Sequence, residues 1–154
     1  LPALADDSGI CVEALAGAPG VHSARFAGPP AAGDTSGRAG QDARNNQKLL
    51  DLLKNATNRN AHYYCVIVLV RRADDPQPII CEAEWHGEIV KTPRGSGGFG
   101  YDPLFLLPAL NKTGAELKAD EKNRISHRAQ ALTLLAQRLR AERREERGER
   151  SVRR

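Results

Sequence analysis

Eight consecutive residues, Tyr63 to Val70, restrict the fold more than any other part of the chain. Tyr-Tyr-Cys-Val-Ile-Val-Leu-Val is β-branched, aromatic and apolar on both faces, so as a strand it has no side to give to water. It is expected to be a central strand, covered above and below. Asp74-Asp75-Pro76-Gln77-Pro78 then turns the chain. Ile79 to Trp85 alternates, with Ile79, Cys81, Ala83 and Trp85 to one side and Glu82, Glu84 and His86 to the other, and an antiparallel hairpin follows. Gln41 to Asn55 reads as an amphipathic helix, with Leu49, Leu50 and Leu53 to the core and Ala43 and Asn46 on the same side. A second helix is expected from an N-cap at Ser126 to about Arg140, docked on the sheet through Leu132, Leu135 and Leu139, with Ala131 and Leu134 beside them. At 154 residues, the chain is within the range of one domain with a real core.

The net charge of +4 dissolves when it is located. Arg138 to Arg154 holds eight arginines and four glutamates, so everything before it is neutral. The expected organisation is a core over residues 1–140 and a charged, mobile tail over 141–154. A core without a basic face gives no ground for a nucleic-acid partner, and no apolar run reaches the ~18 residues of a membrane span. Three scattered cysteines, Cys11, Cys65 and Cys81, support neither a disulfide framework nor a zinc site, and reduced cytoplasm fits best. The chain has no methionine and opens on a bulky Leu1, so an N-terminally incomplete sequence is expected.

Chemistry concentrates in three stretches. In Leu1-Pro2-Ala3-Leu4-Ala5-Asp6-Asp7-Ser8-Gly9, small apolar residues suit the end of a buried strand, and the adjacent carboxylates fall where it is expected to give way to a loop. Neighbouring strand residues face opposite ways, so both carboxylates reach one ligand only if the chain bends, and Ser8-Gly9 is read as that bend. Gly17-Ala18-Pro19-Gly20 reads as a type II turn. Arg25 is placed either on phosphate or on a carboxylate, and Gly28 to Gly40 reads as a mobile surface loop.

The second stretch, Gly95-Ser96-Gly97-Gly98-Phe99-Gly100, has GxGxxG spacing. A dinucleotide site needs a strand before it and a helix opening within it, whereas Pro93 precedes and Pro103 with Leu104-Phe105-Leu106-Leu107 follows, so the reading is loop into strand. The glycines allow close backbone approach to a base or phosphate, Phe99 and Tyr101 offer rings to a purine, and Asp102 offers an acceptor. In the third stretch, His127 and Arg128 open a helix at the end where its dipole disfavours cations, which an anionic ligand would reverse. His22, His62 and His86 stand isolated, without ligand spacing, and are read as structural or exposed.

Asp6-Asp7-Ser8-Gly9-Ile10 through Ser23-Ala24-Arg25-Phe26-Ala27-Gly28, then Gly98-Phe99-Gly100-Tyr101-Asp102-Pro103, then Ile125-Ser126-His127-Arg128-Ala129-Gln130-Ala131-Leu132, resemble in order the signature of the inosine triphosphate pyrophosphatase family. The resemblance implies an α/β fold, with a long twisted mixed β-sheet and flanking helices around a central nucleotide cleft, and a homodimer. It implies hydrolysis of ITP, dITP or XTP to the monophosphate and pyrophosphate. Asp7 is implied as catalytic base and Mg²⁺ ligand, with Asp6 beside it on the metal. Ser8, Phe99, Gly100, Tyr101, Asp102, Lys122, His127 and Arg128 are implied as nucleotide contacts, with Lys122, Arg128 and a protonated His127 donating to a 6-oxo purine. Two features depart from the family. Its glycine-containing phosphate loop and metal-binding glutamate, usually found before this point, are not in the sequence, so triphosphate positioning and turnover are expected to be weak from Leu1 onward. Ala129 stands where glycine commonly follows His-Arg. A nucleotide-binding protein without turnover and a phosphatase releasing orthophosphate stay open.

Overall fold

The computed structural model describes residues 1–152. Five strands form one sheet in the order β1-β2-β3-β4-β5: β1 Ala3–Val12, β2 Asn60–Val70, β3 Ile79–Ile89, β4 Phe105–Leu107 and β5 Lys112–Thr113. The helices are α1 Gly37–Leu52, α2 Ala119–Ile125 and α3 His127–Val152. This is the expected α/β architecture with flanking helices, but where a mixed sheet was expected every strand pairing among the described residues is antiparallel. Arg153 and Arg154 of the expected tail lie outside the described residues. The helix expected to stop near Arg140 continues as α3, in keeping with its Ala, Glu and Arg content. Among the described residues no helix is long and apolar enough to cross a membrane.

Register decides which side chains meet. Ile10 lies opposite Tyr63 and Tyr63 opposite Trp85, while Ser8, Cys65 and Ala83 form the next row and Asp6, Ile67 and Cys81 the one after. These rows share the face that the helices cover. Cys65, Ile67, Ile79 and Cys81 pack with Ala131 and Leu135 of α3. Ile10, Val12, Tyr63, Trp85, Leu104 and Phe105 pack with Leu49 and Leu53. Each such aliphatic or aromatic side chain contributes about 1.5–3 kcal/mol on full burial.

The structure corrects several expectations. β2 is central, between β1 and β3, but only one of its faces is sealed among the described residues: Tyr63, Cys65 and Ile67 are buried, while Tyr64, Val66 and Val68 are half-buried on the other side. There Glu82, Glu84, His86 and Glu88 of β3 are exposed, so the alternation read in β3 is real and describes a one-sided sheet. His62 and His86 are not isolated. They lie directly opposite one another, rings 5.2 Å apart, and Glu84 Oε2 is 2.8 Å from His86 Nε2. α1 begins at Gly37 instead of Gln41, taking in the end of the expected loop, and Leu132 and Leu134 of α3 are exposed where a docked stripe was expected.

The bend at Ser8-Gly9 is absent, because β1 runs unbroken through Asp6, Asp7, Ser8 and Gly9 to Val12. Gly9 has another purpose. The strap Gly20–Arg25, a 3-10 turn, crosses β1 so closely that a Cβ on Gly9 would collide with the carbonyl of Gly20. Ser23 fastens the crossing: its Oγ accepts from Ile10 N at 2.9 Å and donates to Gly20 O at 2.6 Å. The turn before the strap is not type II, since Pro19 has ψ −19° where that turn needs about +120°. The strap is also held by Asn45, 2% exposed, which donates to Ser23 O and Ala24 O and accepts from Ala27 N. Gly9→Ala should therefore push the strap off β1 and cost about 1–3 kcal/mol. A lowered urea midpoint would show it, and an unchanged midpoint would mean the crossing is loose.

Candidate active site

A cleft of about 800 Å³ opens along the outer edge of β1, on the helix-covered side of the sheet. Its walls are Asp6 to Ile10 of β1, Ser23 and Ala24 of the strap, the first turns of α1, the loop from Phe99 to Asp102 and the α2–α3 corner. All ten residues expected at the site line it: Asp6, Asp7 and Ser8; Phe99, Gly100, Tyr101 and Asp102; and Lys122, His127 and Arg128. Arg25 is exposed and does not line it. Tyr63, Ser23, Arg38, Gln41 and Asp42 line it without having been singled out. The available sign was polar residues at Asp42 and Asn46, on the side of α1 that carries its leucines.

Asp102 anchors the loop. It is 2% exposed, and its Oδ2 accepts from Phe99 N at 2.9 Å and from Lys122 Nζ, while Tyr63 OH donates to Oδ1 at 3.4 Å. A Cβ on Gly98 or Gly114 would run into this carboxylate, so both glycines make room for it. Expected as an acceptor for ligand, Asp102 has its oxygens engaged by the protein itself. Burial and the Asp102 charge push the Tyr63 phenol well up, keeping it a neutral donor. Tyr101 OH donates to Ser23 O at 2.7 Å, and burial raises its pKa also. Phe99 is 53% exposed, with Arg38 Cζ 5.0 Å and Lys122 Nζ 4.9 Å from its ring centre.

Ser126 serves two helices. Its N–H donates to Lys122 O at 3.0 Å, ending α2, and its Oγ accepts from Ala129 N at 3.3 Å, capping α3. The corner sets Lys122, His127 and Arg128 on one wall. The His127 ring lies 4.7 Å from that of Tyr63, at 8° to it, and 6.1 Å from that of Trp85. Burial, then the charges of Arg128 and Lys122, lower its pKa to about 4. The protonated donor expected at His127 is therefore a neutral imidazole at pH 7, donating from one nitrogen only. Its Nδ1 is buried without a partner, and so is Ser8 Oγ. Two orphaned polar atoms in one cleft mark where a ligand's polar groups would be met.

The two aspartates differ. Asp6 Oδ2 accepts from Arg128 Nε at 2.6 Å, with both side chains about two-fifths exposed, so the pair is worth about 0–1 kcal/mol and can open for a ligand. Asp7 is exposed, and its Oδ1 accepts from Ser8 N at 2.9 Å. Among the described residues no group of three or more carboxylate, histidine or cysteine side chains could hold a metal ion. The two carboxylates of Asp6 and Asp7 would suit a hard divalent cation that keeps most of its waters.

The His127 shift has a sign that can be measured. A pKa depressed below the unfolded value of about 6.5 means the unfolded chain binds the extra proton first, so stability is full above that pH and is lost as pH falls toward about 4. His127→Asn should flatten the fall in urea midpoint between those limits relative to the unsubstituted protein. Parallel curves would show that the imidazole is not held neutral by the fold.

The sequence matches the Ham1 family over residues 1–138. It is 61% identical over 140 residues to a dITP/XTP pyrophosphatase of Ralstonia nicotianae, covering 91% of this chain and 67% of that protein. A dITP/XTP pyrophosphatase of Nitrosomonas europaea is 59% identical over 139 residues, covering 90% of this chain and 64% of that protein. A HAM1 protein from Coxiella burnetii superposes with a TM-score of 0.81 at 48% identity, over 92% of this chain and 68% of that one. The Staphylococcus aureus Ham1 protein gives 0.81 at 40% identity, with the same coverage. The chain thus spans about two thirds of the length of the relatives it matches. Matched over nine-tenths of its residues in sequence and in backbone, with the three expected stretches gathered at one cleft, this chain belongs to the Ham1 family.

Proposed function

We propose that the protein hydrolyses non-canonical purine nucleoside triphosphates, ITP, dITP and XTP, to the monophosphate and pyrophosphate. The observation that carries this reading is the meeting of all ten expected residues in one cleft, with Ser8 Oγ and His127 Nδ1 left without partners there. The names of the relatives, dITP/XTP pyrophosphatases, support the substrate class. Lys122 and Arg128 present donors to a carbonyl at the purine 6-position, whereas the exocyclic amine of adenine would bring N–H against N–H. A buried donor left unpaired costs about 1–3 kcal/mol, which is roughly ten-fold to a hundred-fold discrimination per contact. The half-exposed ring of Phe99 offers the base a stacking face, with the buried ring of Tyr101 behind it.

In the same reading, Asp7 accepts a proton from water as the water oxygen bonds to the α-phosphorus. The bond to the α–β bridging oxygen breaks, and its electron pair leaves with pyrophosphate. A divalent cation, Mg²⁺ in this reading, spreads the charge of the leaving group when bound, held by Asp7 with Asp6 beside it. Ser8 Oγ, buried without a partner, donates to a phosphate oxygen in this reading. A homodimer belongs to the same reading, supported by the open sheet face with half-buried Val66 and Val68 and exposed Ile80, and so does a cytoplasmic location, supported by the unpaired thiols of Cys11, Cys65 and Cys81.

The test is to incubate the protein with ITP and Mg²⁺ and identify the inorganic product. Pyrophosphate supports the proposal, orthophosphate indicates a phosphatase, and binding without product indicates a nucleotide-binding protein. Asp7→Asn keeps the shape but cannot take the proton, so turnover should fall about 10²–10⁴-fold while ITP affinity stays within about ten-fold. Unchanged turnover would remove Asp7 as the base. Equal hydrolysis of ATP and ITP would overturn the assignment of Lys122 and Arg128 to the 6-oxo group.

A further inference from the structure

Two polar side chains of α1 grip a single residue of the loop that closes the cleft. Asp42 and Asn46 lie one helical turn apart and so leave the same side of α1. The Gly100 N–H donates to Asp42 Oδ2 at 2.8 Å, and Asn46 Nδ2 donates to the Gly100 carbonyl at 3.0 Å. The backbone donor and acceptor of one residue are thus both taken by one helix, which fixes the loop in position and in tilt. Gly100 has φ +61°, and a Cβ there would meet nothing within 4 Å. The glycine is needed for its backbone angle alone, and that angle turns its amide toward α1. Phe99 and Tyr101 flank the gripped residue, and Asp42 lies close enough to raise the Tyr101 pKa by its charge.

We propose that Asp42 and Asn46 are positioning residues that act through Gly100, holding the Phe99-Gly100-Tyr101 run in the one placement that receives a purine and so setting base discrimination. This rests on the reading of the cleft as a purine nucleotide site. Without the grip, only a fraction of molecules holds the loop in the competent arrangement, and apparent affinity falls by that fraction. Asp7 and Ser8 sit on β1 and take no part in this contact, so the chemical step is expected to keep its geometry.

The variants are Asp42→Ala, which removes the acceptor, and Asn46→Asp, which sets a carboxylate against the Gly100 carbonyl. Each should raise KM and the calorimetric Kd for ITP about ten-fold, with kcat held within about two-fold and the preference for ITP over ATP reduced. Asp42→Asn keeps an oxygen for the Gly100 N–H and should recover most of what Asp42→Ala loses. A merely structural role would lower the melting temperature and scale kcat down for both nucleotides with their ratio intact, which would overturn the proposal. Unchanged ITP affinity and preference would overturn it equally. Because Kd is read directly, a protein that binds ITP without releasing pyrophosphate sinks the hydrolase reading while the grip is still decided, and a protein that binds no ITP overturns both.

Discussion

The Asp102 carboxylate, buried between the closing loop and the sheet, is the contact on which the cleft depends. A charge taken so far from water persists only if it is paired and its lone pairs are used, and Lys122, the Phe99 N–H and the Tyr63 hydroxyl meet that demand. Those partners come from α2, the loop and β2, so one carboxylate ties three elements together at the cleft. Removing one partner of such a buried pair costs about 3–5 kcal/mol, because the other is left charged and alone. Gly98 and Gly114 belong to the same constraint: their missing side chains are the space the carboxylate occupies.

β1 supplies the second constraint by staying straight. Its alternation sends Asp6 toward α3 and the Arg128 pair, and Asp7 to the other side of the strand. Both still border the cleft because β1 lies at the margin of the described sheet, where a ligand can approach from the side. The strap over Gly9 completes the wall without breaking the strand's pairing with β2.

Much of this was legible in the residues. Alternation in Ile79 to Trp85 was enough to pair β3 with β2 and assign its faces, because a period of two has only one way to bury half its side chains. The N-cap at Ser126 was visible because a hydroxyl before a leucine stripe has few other uses. Membership of the cleft was readable through the family resemblance. Tertiary contacts stayed hidden. Asp6-Asp7-Ser8-Gly9 looked like a turn because its composition is that of turns, yet Gly9 is there to admit a crossing backbone. Val66 and Val68 looked doubly buried because an apolar side chain does not record whether anything covers it. Charge states were also out of reach: His127 was read as a donor when protonated, and its burial, with Arg128 and Lys122 beside it, is what keeps it neutral.

The shared cap at Ser126 has a further consequence. With one residue closing α2 and opening α3, Lys122, His127 and Arg128 move as parts of a single rigid bracket, and the Tyr63 stack fixes that bracket to the sheet. Three side chains on a hinged loop would each lose freedom when a base arrived, at about 0.5–1.5 kcal/mol for each long one. Here most of that ordering is complete before any ligand enters. If the cleft takes a purine as proposed, the base meets backbone positions that are already set, with the half-exposed Arg128 side chain the part of the wall left to adjust.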